Sequence, residues 1–293
     1  MCNSVVNDCV GHDSYRSSDR SWRRWSELLI FGISWVAFAQ QQPPAGPSAA
    51  AKPDVNAANN PLTPMITINF QDQAAPLLYG SDDGSNSFLF RGLIPHKLGG
   101  VPQLFRFTLP ITTVPESNAG TTTGLGDLNM FDLFPFVVRQ LKMEVAIGPQ
   151  FTFPTATETA TGTGKWQAGL ATILIAPRKW GIAGALVTWQ HSFAGNHDRP
   201  VQNNFAFQPL VIYNLPKAWY LRSTATWNFD LRRDNFVIPL GFGAGKVWIL
   251  ESGTTLNLFA EPQVSVAHSG AGQPQFQVFA GLNLQFPIHR KQP

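Results

Sequence analysis

Charged and amide side chains set singly into apolar stretches are where this chain could do chemistry. Arg106, Asp127, Asn129, Lys142, Glu144, Gln150, Arg222, Asn228, Asp230, Asn257, Glu261, Gln263, Gln277 and Asn283 are such residues. Two uses are open to them. They can pair with one another and so fill and stabilise an interior, or they can face water and set the selectivity of a pore. Several strings imitate catalytic motifs without completing them. His191-Ser192 has the residue types of a serine hydrolase such as an outer-membrane lipase, but no Asn, Asp or Glu is placed to orient the imidazole. Gly162-Thr163-Gly164-Lys165 ends like a phosphate-binding loop, yet Trp166 stands where Ser or Thr must hold magnesium. Gly241, Gly243 and Gly245 suggest a dinucleotide loop, but the third glycine is misplaced and no helix follows. They suit neighbouring side chains that pack inside a barrel, or a bend. His197-Asp198 has no third ligand at metal spacing. The expectation is therefore no enzyme, no cofactor and no metal.

The elements carrying these residues repeat with period two. From Leu141 to Phe153, the residues Leu141, Met143, Val145, Ile147, Phe151 and Phe153 point one way, and Lys142, Glu144, Gln150 and Thr152 the other. On a helix those charges would be scattered around the circumference, so this is a strand. The same alternation predicts twelve strands, over 65–70, 86–94, 102–109, 125–136, 141–153, 165–177, 180–192, 203–213, 218–230, 235–248, 254–266 and 275–286. Connections after the even-numbered strands are short. Those after the odd-numbered ones are longer and rich in Gly, Thr, Ser, Asn and Asp, 231–234 excepted. Outer-membrane barrels alternate short periplasmic turns with long outer loops, and a Greek-key sandwich does not. The expected fold class is all-β, a transmembrane antiparallel up-and-down barrel of about twelve strands. Trp180, Trp219 and Trp248 adjoin short turns, and Trp166, Trp189 and Trp227 lie nearer the long loops, as two interfacial girdles would.

Composition agrees. The 293 residues are 44% hydrophobic, 12% aromatic and only 13% charged, with a formal net charge of +3, which excludes disorder and gives nucleic acid no basic stripe. Arg20, Arg23 and Arg24 precede an apolar run from Leu28 that ends Ala37-Phe38-Ala39, the pattern of a Sec signal peptide over 1–39 cleaved after Ala39. The run is too short to span a bilayer as a helix. Cleavage would remove Cys2 and Cys9, the chain's two cysteines. Residues 40–64, rich in Pro, Ala, Gln and Asn, read as a flexible periplasmic linker, and 65–293 as the barrel.

The last strand ends Gly281-Leu282-Asn283-Leu284-Gln285-Phe286, which resembles the signal read by the barrel-assembly machinery, although Phe279 replaces a polar residue and Pro287 to Pro293 trail it. Gly126-Asp127-Leu128, Gly148-Pro149, Phe153-Pro154-Thr155-Ala156-Thr157, Gly162 to Gln167, Pro239-Leu240-Gly241 with Gly245-Lys246, and Glu261-Pro262 follow in order. This series resembles the bacterial outer-membrane family called "MetA-pathway of phenol degradation", over about 65–286. The resemblance implies a twelve-stranded barrel and passage of small compounds, aromatic ones among them. Expected partners are outer-membrane lipid and lipopolysaccharide, the assembly machinery and a small solute. A barrel plugged for envelope structure or adhesion is the alternative, and a lipid hydrolase the third reading.

Overall fold

The computed structural model describes residues 53–116 and 120–287. The signal-peptide assignment, with Ala37 and Ala39, lies outside these residues, as does most of the linker.

Twelve staves form one closed antiparallel sheet in sequence order. They are β1 (Ile66–Leu78), β2 (Ser85–Leu98), β3 (Val101–Pro115), β4 (Thr121–Leu125 with Leu128–Val138), β5 (Met143–Phe153) and β6 (Lys165–Arg178). The circuit continues through β7 (Gly181–Gly195), β8 (Asn203–Asn214), β9 (Trp219–Ser223 with Trp227–Asp230), β10 (Asn235–Gly241 with Gly243–Ile249), β11 (Thr255–Ser269) and β12 (Pro274–Phe286). Closure is the pairing of β12 with β1, from Ile66 opposite Phe286 to Leu78 opposite Pro274. A closed sheet has no unpaired edge, which is the condition for strands to cross lipid.

Each stave alternates as its sequence does. Along β11, Asn257, Phe259, Glu261, Gln263 and Ser265 are buried, while Leu258, Val264 and Val266 are exposed. Large apolar side chains thus cover the outside and polar ones line the interior, the inverse of a soluble protein. The outward tryptophans fall at two levels. Trp180, Trp219 and Trp248 sit by the short turns, with Lys246 Nζ 5.2 Å and 5.1 Å from the Trp219 and Trp248 rings. Trp166, Trp189 and Trp227 lie towards the other rim, where Trp166 packs edge-on against Phe153 and Trp189 Nε1 donates to Asn203 Oδ1.

The staves run beyond most sequence boundaries. β1 reaches Leu78 rather than residue 70, because Gln71-Asp72-Gln73 continues the pleat with polar side chains where the hydrophobic alternation stops. The β2–β3 connection shrinks to Gly99-Gly100, whose φ values of 57° and 83° suit only a tight turn of glycines.

One expectation is corrected. Residues 53–64, assigned to a flexible linker, fold instead. Asp54 Oδ1 accepts from Ala57 N and caps helix α1 (Val55–Asn59), after which the chain turns into β1. Val55, Ala58 and Leu62 are buried in one cluster with Leu93, Leu104, Leu133, Ile175, Ile212 and Val247. A helix of 5 residues is too short to reveal its period against a Pro/Ala-rich background.

Candidate functional site

The interior of the barrel is the site, and α1 divides it. Its contacts reach staves all round the circumference, which only an element inside the lumen can do. Asn56 Nδ2 donates to the Arg178 carbonyl at the end of β6, and Asn214 Nδ2 on β8 donates to Asn56 Oδ1 at 2.8 Å. Asn60 Nδ2 donates to Glu144 Oε2 on β5 at 2.7 Å. From the far side, Asn257 on β11 and Gln285 on β12 both donate to the Ala58 carbonyl. All these positions lie near the short turns, so α1 stands across that end of the bore.

Space remains on both sides of it. Below α1, towards the short turns, is a vestibule of about 1170 Å³ bounded by Asp54, Asn60, His96, Gln103 and Glu144. Above it lies a cavity of about 160 Å³ whose floor is Ala58 to Pro61 and whose walls include Arg91, Arg106 and Arg222. That space shares Arg91, Arg106, Gln208 and Phe279 with a further cavity of about 280 Å³. The latter shares Thr188 and Ala206 with a mouth of about 450 Å³ under the 231–234 loop. These three cavities, which share wall residues, are thus stacked from the long-loop rim down to α1.

Among the described residues, one fully buried ion pair stands in the lumen. Arg222 Nε on β9 lies 2.7 Å from Glu261 Oε2 on β11, with 8% and 0% of the side chains exposed. Glu261 also accepts from Thr224 N, Thr224 Oγ1 and Gln263 Nε2, so both carboxylate oxygens are satisfied. Arg222 stacks 3.6 Å over the Phe259 ring. The two partners reach each other across β10 because Gly241 and Gly243 occupy the intervening positions. A β-carbon at Gly241 would collide with Glu261 Oε1, and one at Gly243 with the Ala260 carbonyl. Gly245 leaves room in the same way for Tyr220, whose hydroxyl donates to Asn257 Oδ1 at 2.6 Å. These glycines serve packing inside the barrel. The pair runs along the wall and does not bridge the bore.

A second network repeats the device. Gln150 on β5 donates to Gln190 Oε1 on β7 across Gly169 of β6, and Gln190 Nε2 returns a bond to Thr152 Oγ1. On the β1 side, Arg91 Nη1 donates to Gln71 Oε1 at 2.6 Å, and Gln71 Nε2 to Asn283 Oδ1 at 2.9 Å.

The structure thus places Arg106, Gln150, Arg222, Asn257, Glu261, Gln263 and Asn283 on the lumen wall, and Glu144 at the vestibule against α1. Asp230 lines the mouth beneath the long loops, and two other candidates, Lys142 and Asp127, lie outside this stack of cavities. Lys142 is exposed in the β4–β5 turn with φ 50° and contributes its backbone, the N–H to the Arg139 carbonyl and the carbonyl to Arg178 Nη1. Asp127, at the break in β4, accepts from Ala156 N, Thr163 N and Thr163 Oγ1, and so clamps the 154–164 loop. Asp230 caps the β9–β10 turn through Arg232 N and Arg233 N, and pairs with Arg233 Nη1 at 3.0 Å. In each case the side chain follows a turn or break that alternation alone does not locate. Arg91 and the Asn56–Asn60 segment were missed. Arg91 lies between inward Leu89 and Leu93, which hid its face, and the only signal of α1 was the Asp54 cap.

The catalytic look-alikes do not assemble. His191 is exposed on the outer face, whereas Ser192 is buried and its Oγ accepts from Gln202 N. Gly162 to Lys165 leads into β6 rather than a helix. Among the described residues, no cluster of three metal-ligating side chains occurs.

No family model and no curated protein matches this sequence. Solved structures do. An outer membrane channel from Pseudomonas putida F1 superposes with a TM-score of 0.56 at 15% identity, over 76% of this chain and 96% of that one. The KdgM porin in complex with disordered oligogalacturonate gives 0.42 at 8%, over 76% and 99%. Escherichia coli outer membrane phospholipase A gives 0.44 at 13%, over 80% and 97%. At these identities the likeness is one of fold, and the fold is that of an outer-membrane β-barrel similar to the Pseudomonas channel.

Proposed function

We propose that this chain is a passive outer-membrane channel for small solutes, closed in the present conformation by α1. The observation that carries this reading is the stack of cavities between the long-loop mouth and α1, with a second open vestibule beneath it. A barrel kept for strength alone fills its lumen with charge pairs or apolar side chains. Here the obstruction is a single short helix, held by the burial of Val55, Ala58 and Leu62 and by amide hydrogen bonds each worth on the order of 1 kcal/mol net. Such an element can be displaced without unfolding the sheet.

The motif series that resembles the "MetA-pathway of phenol degradation" family supports placing the chain near that group, and with it a small, partly apolar solute. Export by a Sec signal peptide, insertion by the barrel-assembly machinery and residence among outer-membrane lipid and lipopolysaccharide follow from the same reading, as does a transport role without catalysis. The outward apolar surface and the two levels of tryptophan support membrane residence.

The test combines heat modifiability with flux. A boiled and unboiled gel shift followed by swelling of proteoliposomes in a small neutral sugar is the expected result. A gel shift with no flux of any solute would favour the plugged, structural reading.

A further inference from the structure

Arg91 and Arg106 form a charged feature that the fold does not use. They sit on adjacent staves, where Arg91 opposes Thr108 and Leu93 opposes Arg106, so the two are diagonal neighbours on the inner face. Both line the two cavities directly above α1. Neither makes an ion pair among the described residues. Arg91 has one hydrogen bond, to Gln71 Oε1, and Arg106 has only the face of Phe131, 5.2 Å from its guanidinium carbon. The Nε of each is buried and without a partner. A guanidinium carries five N–H donors, so most of the donor capacity here is unspent.

The surroundings define what would satisfy it. No carboxylate borders either cavity, because the one nearby, Glu261, is wholly engaged by Arg222, Thr224 and Gln263. The walls offer amides, from Asn69, Asn129, Gln150 and Gln208, and apolar faces, from Leu186 and Phe279. Two like charges side by side in a confined space need a counter-charge between them, and planar guanidinium forks suit a carboxylate.

We propose that the chamber above α1 is a binding site for a small organic carboxylate, its anionic end held by Arg91 and Arg106 and its apolar body against Phe279 and Leu186. Volumes of about 160 Å³ and 280 Å³ admit one ring or a short chain, and not a polymer. The proposal rests on the channel reading for its route of entry, and names the class of solute that the channel would select.

The full chain, refolded in an uncharged detergent, is titrated calorimetrically with benzoate and with the isosteric neutral benzamide. Benzoate is expected to bind about tenfold tighter or more, since charge-assisted hydrogen bonds are roughly twice as strong as neutral ones. Arg91→Gln and Arg106→Gln should each lower benzoate affinity about tenfold while keeping the heat-modifiable gel shift. Equal affinity for acid and amide overturns the proposal, as does unchanged benzoate affinity in both folded variants. The acid–amide comparison is made on the unaltered chain, so it decides even if a variant fails to fold. Swelling assays with neutral sugar on the same preparation separate the two readings. Sugar flux without benzoate preference removes the carboxylate site and leaves the channel. Benzoate preference without flux keeps the site and removes the channel.

Discussion

Removing the carboxylate of Glu261 should be among the most damaging single changes in the barrel. Its Oε2 lies 2.7 Å from Arg222 Nε, and the two side chains are buried, with 0% and 8% exposed. At that distance and an effective dielectric of 20, the gross attraction is about 6 kcal/mol, much of it offset by the several kcal/mol needed to desolvate each ion. Glu261→Ala strands the guanidinium and takes away the acceptor of Thr224 N, in the break where β9 leaves its ladder. The loss of one partner of a buried pair costs about 3–5 kcal/mol. The Phe259 face, 3.6 Å from the guanidinium carbon, persists and restores about 1 kcal/mol of this at most. Arg222→Met should cost a similar amount, because it strands the carboxylate. The double variant Arg222→Met/Glu261→Met should lie closer to the unaltered protein than the two single losses added together, since apolar replacement of a whole pair is often neutral. Urea unfolding of the folded barrel in vesicles reads these differences as midpoint shifts of about 1–2 M for each single variant. Single variants within about 1 kcal/mol of the unaltered chain, or a double variant showing the full sum, would refute the reasoning.

Other predictions follow from the same geometry. Gly241→Val should destabilise the barrel by about 1–3 kcal/mol, because its β-carbon would occupy the space of Glu261 Oε1 and Gln263, and the urea midpoint reads this. Asp127→Ala should release the 154–164 loop, seen as faster cleavage by added protease with the heat-modifiable shift retained. Asn60→Ala together with Asn257→Ala should loosen α1, cutting the bonds to Glu144 and Ala58 and raising bilayer conductance without changing strand content by circular dichroism.

The circuit of strands was legible because lipid on one face and a polar lumen on the other impose alternation on every stave, as in Met143–Phe153 and Thr255–Ser269. Loop asymmetry then separated a barrel from a Greek-key sandwich. What the sequence hid has local causes. The breaks in β4 and β9 free Asp127 to clamp a loop and Thr224 to bind Glu261, and neither event leaves a mark on the hydrophobic period. Lys142 shares parity with Glu144, but the chain turns before reaching it. Helix α1 takes its stability from burial of Val55, Ala58 and Leu62 against side chains scattered over the whole barrel, so within residues 53–64 the Asp54 cap alone announces it. Arg91 stands among leucines, and the register of the β2–β3 hairpin sets it beside Arg106.

The central claim, solute passage through a lumen closed by α1, is tested most directly by single-channel conductance of the full chain beside a variant lacking residues 53–62, both verified by gel shift. The account predicts small or rare openings in the first and large, discrete, persistent steps in the second. Two equally silent bilayers from folded protein would contradict it.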